Sequence, residues 1–182
     1  MNIVLTGAPG AGKDTLAIKL HDQYGFQILT TGDLYRKEFA LGTNFGVKAH
    51  SYWGQGNLCP DDMTNELMNR ALSGLEKKES IIFNGYPRTI SQAEYLDKLI
   101  HVDVNLHLEV DESVAIERLL RRGRIDDKED VIRKRFTEYN IKTFPLLEYY
   151  SNSNRWHKVL SNKTEQEVLQ NAVQIILNKY KL

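Results

Sequence analysis

The chain has 182 residues, with 24 Lys and Arg against 24 Asp and Glu, so its formal net charge is zero, which argues against a generally basic nucleic-acid binder or a polybasic membrane-surface protein. A hydrophobic share of 41% is too apolar for a disordered chain, and no apolar run approaches the roughly 20 residues of a membrane span. What remains is a globular protein of one domain, able to bury roughly 70% of its unfolded surface, in which the single cysteine, Cys59, excludes an internal disulfide and a multi-cysteine zinc site and suits a reducing compartment.

No basic segment with a long apolar run stands at the amino end, so a cytoplasmic protein is expected. Residues 3–6 form a short apolar, β-branched run that reads as a buried strand. Gly7-Ala8-Pro9-Gly10-Ala11-Gly12-Lys13 follows it directly and opens a helical pattern over 13–24. Strand, glycine-rich loop and helix in that order make a phosphate cradle: backbone N–H groups turn inward, the helix start adds a positive dipole, and Lys13 reaches the terminal phosphates. The strict motif has Ser or Thr after the lysine, whereas here Asp14 intervenes and the hydroxyl comes at Thr15. Repulsion from a bound triphosphate predicts that Asp14 points away as a local cap.

A second strand is expected at 27–30. The segment 32–60 shows no strand pattern and carries Gly42, Gly46, Gly54 and Gly56, which predicts a small helical excursion from the core. Further on, helical spacing covers 61–75, 91–99, 112–122, a long stretch 128–150 in which Pro145 marks a kink or break, and 165–180. Strands are expected at 81–84 and 104–110, with a weaker fifth at 156–160. The run 76–79 is a solvated loop. Alternating strands and helices predict a parallel sheet with helices on both faces and ligands beyond the carboxyl ends of its strands.

Three further segments carry a resemblance. Thr31-Gly32-Asp33-Leu34-Tyr35-Arg36 resembles the TGDxxR element of the adenylate kinases, Gly56-Asn57-Leu58-Cys59-Pro60-Asp61 resembles their GxLxPD turn, and Asn84-Gly85-Tyr86-Pro87-Arg88-Thr89 with Gln92-Ala93 resembles DGFPRTxxQA. Arg124-Ile125-Asp126-Asp127, with Arg135, Tyr139 and the segment from Pro145 to Tyr150, is similar to the helix pair after the family's lid. Nearly the whole chain is covered. The resemblance implies a P-loop α/β/α fold of three layers with a five-stranded parallel sheet, a nucleoside-monophosphate insert at 31–60 and a rudimentary lid at 122–127. It also implies reversible transfer of the γ-phosphoryl group of Mg·ATP to a nucleoside monophosphate. A monomer is the default expectation; the balanced charge leaves nucleic-acid and membrane partners unexpected, and the lone cysteine and unpaired histidines leave zinc unexpected.

Residue by residue, the resemblance assigns ATP to Gly10, Ala11, Gly12, Lys13, Asp14, Thr15, Arg118, Arg122 and Lys163. It assigns the acceptor to Thr31, Arg36, Leu58, Gly85, Arg88, Gln92, Arg124 and Arg135. Lys13, Arg88, Arg122, Arg124 and Arg135 would carry catalysis, since phosphoryl transfer needs alignment and neutralised charge, and arginine offers a permanent planar fork for phosphate oxygens. Arg121 and Arg133 are read as solvated helix positions. Gln92, with paired donor and acceptor, favours adenine, so AMP is the first choice of acceptor and a pyrimidine monophosphate the alternative.

Three departures matter. Position 84 is Asn where the family has Asp, so magnesium is expected at Thr15 and, through water, at Asn84, with weaker binding; a second reading has Asp14 supplying the missing carboxylate. Only Gly123 separates Arg122 from Arg124, which predicts minimal closure. Ser161-Asn162-Lys163 stands where the family has a small residue and glycine, and leaves the donor base open. Asn84 and Asp14 also motivate a competing reading, a nucleotide sensor with weak catalysis.

Overall fold

A computed structural model describes residues 1–76 and 79–180. The five β-branched runs become β1 (Ile3–Gly7), β2 (Gln27–Thr30), β3 (Ile81–Asn84), β4 (Val104–Glu109) and β5 (Trp156–Leu160). All pairings are parallel, in the order β2-β3-β1-β4-β5. Strand β1 is buried along its whole length, which is why it reads as an unbroken apolar run and not as an alternation.

The helices are α1 (Lys13–Tyr24), α2 (Thr31–Ala40), α3 (Asn44–Trp53), α4 (Asp61–Ser73), α5 (Ile90–Leu99), α6 (Glu112–Arg122), α7 (Glu129–Glu138), α8 (Leu146–Asn152) and α9 (Glu165–Tyr180). Successive side chains of a strand point to opposite faces. Thus Ile3 and Leu5 pack with Leu16 and Leu20 of α1 and Leu169 and Ile176 of α9, while Val4 and Phe83 pack with Met68, Leu96 and Tyr150 from α4, α5 and α8. Each buried large side chain contributes roughly 1.5–3 kcal/mol, so these two layers fix the sheet between its helices.

The segment after β2 forms α2 and α3, which share a core with α4 built on Tyr35, Ala49, Cys59, Met63 and Leu67. Gly46 permits this packing, because a Cβ there would stand 2.3 Å from the Glu38 backbone. The stretch 128–150 is not one helix. Helix α7 passes into a π-helical turn, Tyr139–Thr143, in which Phe144 N donates to Tyr139 O at 2.8 Å; Pro145, lacking an N–H, then opens α8. Lys77 and Lys78 of the run 76–79 lie outside the described residues.

This topology sets the site. Gly7, Thr30 and Asn84 end three adjacent strands, so the glycine-rich loop, the start of α2 and the Asn84 side chain converge at the carboxyl end of the sheet. No helix among the described residues is long and apolar enough to cross a membrane.

Candidate active site

A cleft of about 520 Å³ opens at that end of the sheet, and every residue assigned from sequence to nucleotide binding or catalysis lies on its wall. The loop is shaped by close approach: Gly10 has φ +80°, and a Cβ on it would meet the Ala115 carbonyl oxygen at 2.4 Å, so the loop rests on α6 with no room for a side chain. Lys13 curls back to donate to the carbonyls of Gly7 and Ala8 at 2.7 and 2.9 Å. Burial, reinforced by the positive charge of Arg88, pushes its pKa down to about 7. Ser161 braces the loop from β5, donating to Ala11 O at 2.7 Å and accepting from Arg118 at its own carbonyl at 2.9 Å.

Asp14 does not point away. Its Oδ1 accepts from Asn84 Nδ2 at 2.8 Å and its Oδ2 from Arg124 Nη2 at 3.0 Å. The expected repulsion is outweighed by cations: although burial disfavours the charge, the Asn84 hydrogen bond and the Lys13 and Arg124 charges hold the carboxyl below its ordinary range.

The arginines from α6 and α7 are organised by one carboxylate. Asp127 accepts from Arg122 Nε and Nη2 at 2.9 and 2.7 Å, from the Arg124 backbone N–H at 2.9 Å and from Arg135 Nη1 at 3.2 Å; Asp126 also pairs with Arg135 at 3.2 Å. Burial opposes the charge on Arg122, but Asp127 more than compensates and raises its pKa. Arg135 and Arg88, deeper and close to other cations, are lowered mainly by burial. Lys13, Arg88, Arg122, Arg124 and Arg135 thus outnumber the Asp14, Asp126 and Asp127 carboxylates set among them, an excess suited to a polyphosphate chain. Arg121 and Arg133 pair with Glu117 and Glu129 on their own helices and are exposed, although Arg121 also lines the cleft.

On the other side, Thr31 and Arg88 Nε both donate to Gly85 O at 2.8 Å, and Arg36 folds onto Asp33 at 2.5 Å. The Gln92 carboxamide is already engaged: its oxygen accepts from Arg88 N at 2.8 Å and its nitrogen donates to Asp61 Oδ1 at 2.7 Å. An amide carries two donors and two acceptor sites, so one of each is left for a ligand. Leu58 N donates across the cleft to Glu138 Oε2 at 3.2 Å. Trp53, on the cleft wall, packs against Phe39 and His50, and its buried Nε1 has no hydrogen-bond partner among the described residues.

The adenylate kinase family profile matches residues 5–155. The chain belongs to the adenylate kinase family. It is 39% identical over 177 residues to the adenylate kinase of Porphyromonas gingivalis, covering 92% of this chain and 91% of the relative. It is 42% identical over 155 residues to that of Mycobacterium tuberculosis, covering 82% and 86%, and 40% identical over 173 residues to that of Corynebacterium aurimucosum, covering 92% and 93%. It is therefore a nucleoside monophosphate kinase, a phosphotransferase of the α/β/α class with a five-stranded parallel sheet.

The roles of three carboxylates that shape this kinase site were missed by sequence reasoning, Asp127, Asp61 and Glu138, and Ser161 stood out only as a departure from the family's pattern. Asp61 and Asp127 sit inside motifs that resemble the family's, so their positions were visible; their roles were not, because a carboxylate on a surface-like pattern gives no hint of a buried arginine or amide partner.

Proposed function

We propose that this kinase transfers the γ-phosphoryl group of Mg·ATP to AMP, giving two ADP, as a cytoplasmic monomer. The observation that carries this reading is the two-sided cleft: the glycine-rich loop and Lys13 enter from one side, Gln92 and Arg88 from the other, and Arg122, Arg124 and Arg135 lie between. A phosphate chain entering the loop would replace the Gly7 and Ala8 carbonyls as the partner of Lys13, and its charge would draw that amine to its protonated form. Arg88, fixed by Gly85, and Arg36 would hold the acceptor phosphate, while Arg122 and Arg135, held by Asp127, keep positive charge where the transferring group's charge spreads. The free donor and acceptor of Gln92 fit the N6 and N1 edge of adenine.

The donor set fits magnesium. The ionised Asp14 carboxylate, the neighbouring Thr15 hydroxyl and the Asn84 amide are hard oxygen ligands, and magnesium in such sites keeps most of its waters and takes its other ligands from substrate phosphates. Bound there, it would neutralise negative charge on the donor's phosphate oxygens. The single cysteine, buried at Cys59, suits a reducing cytoplasm.

Initial rates of diphosphate formation from Mg·ATP with AMP, CMP, UMP and GMP test the reading. AMP should lead; a lead for CMP or UMP would reassign the acceptor, and binding of both nucleotides without turnover would make the protein a sensor.

A further inference from the structure

In P-loop enzymes the metal of the donor nucleotide is oriented by the hydroxyl beside the loop lysine and by an aspartate at the end of a neighbouring strand. Here the neighbouring strand β3 ends in the neutral Asn84, almost wholly buried at 2% exposure, and the acidic group stands one layer further out, at Asp14. The two side chains meet at 2.8 Å. Asn84 is itself steadied by Thr30 Oγ1 at 3.4 Å, so its amide presents a fixed donor to the carboxylate. The Asp14 side chain keeps 44% of its surface exposed, open to the cleft. Its other oxygen is covered by Arg124, which reaches it from 110 residues away.

Resting on the magnesium-dependent reading above, we propose that Asp14 is the positioning residue for the water shell of the donor's divalent cation, aligned by Asn84, with Arg124 as the cation that occupies it before the nucleotide arrives. The charge at the strand end and the neutral residue after the lysine have exchanged places across one hydrogen bond. Arrival of the metal nucleotide exchanges one cation for another at Asp14, and the released guanidinium is then free for the phosphate chain. A carboxylate in this place also explains why an acidic residue is tolerated in a phosphate loop: Lys13 and Arg124 offset it when the site is empty, and a divalent cation offsets it when the site is full. No atom is transferred; the change is an exchange of ion-pair partners.

The test is the affinity of the non-hydrolysable imido analogue of ATP, measured by calorimetry with EDTA and with magnesium, and read as the ratio of the two dissociation constants. In Asp14→Asn the ratio should fall about tenfold from its wild-type value. In the double variant Asp14→Asn with Asn84→Asp, which returns the charge to the strand end, it should recover. An unchanged ratio in Asp14→Asn, with both affinities moved equally, would mean that Asp14 only braces Arg124 and would overturn the inference. Should Asp14→Asn fail to fold, Asp14→Gly and Asp14→Gly with Asn84→Asp make the same comparison, and equal ratios in that pair also overturn it. A wild-type ratio near one would strike instead at the magnesium-dependent reading on which the inference rests.

Discussion

Arg122 and Asp127 meet in a two-pronged ion pair, at 2.9 and 2.7 Å, and the Asp127 side chain has no exposed surface. Because the same carboxylate also takes Arg135 and the Arg124 backbone N–H, one residue sets the geometry of three cations. Removing one partner of a buried pair leaves the other charges unmatched. Asp127→Ala should therefore cost roughly 2–3 kcal/mol of stability, below the full buried-pair value because the arginines keep some solvent. It should also lower kcat about 100-fold through misplaced arginines, with a smaller change in the acceptor KM. Urea unfolding and initial rates check both.

Asp61 braces the proposed acceptor side in a comparable way, accepting from Gln92 Nε2 at 2.7 Å and from Thr89 Oγ1 at 2.8 Å. Asp61→Ala frees the Gln92 carboxamide to rotate. The expected outcome is an acceptor KM raised about tenfold and a narrowed preference for AMP over CMP, about 1.4 kcal/mol of lost discrimination, with the ATP KM unchanged. Steady-state kinetics with both acceptors decide it.

Two glycine substitutions should separate the two halves of the cleft. Gly10→Ala forces a side chain into a left-handed backbone and against the Ala115 carbonyl, and should cost roughly 2–4 kcal/mol together with most of the ATP affinity. Gly46→Ala only pushes α3 from α2; roughly 1–3 kcal/mol is expected, with the acceptor KM raised and ATP binding intact. Calorimetric titration of ATP into each variant tells them apart.

Lys13 gives a pH signature. The folded protein sheds this proton near pH 7, against an ordinary value of 10.5, so between those values the unfolded chain holds more protons and stability rises with pH. His107, lowered to about 4 by burial and the nearby Lys13 charge, also holds fewer protons when folded: stability drops as pH falls from 6.5 towards 4. Phosphate binding should restore the Lys13 proton. Binding of the imido analogue at pH 8 should take up nearly one proton, measured by calorimetry in buffers of different ionisation enthalpy; at pH 6 the uptake should be much smaller, and Lys13→Met should abolish it.

The sheet was legible because β1 and β3, buried on both faces, leave short apolar runs and β4 carries Val104, Leu106 and Leu108 at alternate positions, and α1, α6 and α9 because their apolar residues recur at three- and four-residue spacing. Helices α2 and α3 were legible only as an excursion, since Gly42, Gly46 and Gly54 blur their period while a close α2 to α3 contact stabilises them. The π-helical turn was hidden as well: only Pro145 marked the break, and the change of hydrogen-bond partner before it depends on packing. Candidate site residues stood out wherever a motif kept charge and spacing. Asp14 was misplaced because its orientation was argued from the helix start and the nucleotide alone, whereas it is set by Asn84 and Arg124, distant in sequence and near in space.

The most direct test begins with ADP alone. An enzyme that moves a phosphoryl group between two adenine nucleotides in this cleft must convert ADP and magnesium into equal amounts of ATP and AMP, followed by phosphorus NMR, and Arg88→Ala must slow the approach to that equilibrium. ATP and AMP rising together at equal rates is the predicted result; ADP that persists unchanged, or AMP that appears with inorganic phosphate and no ATP, would contradict it.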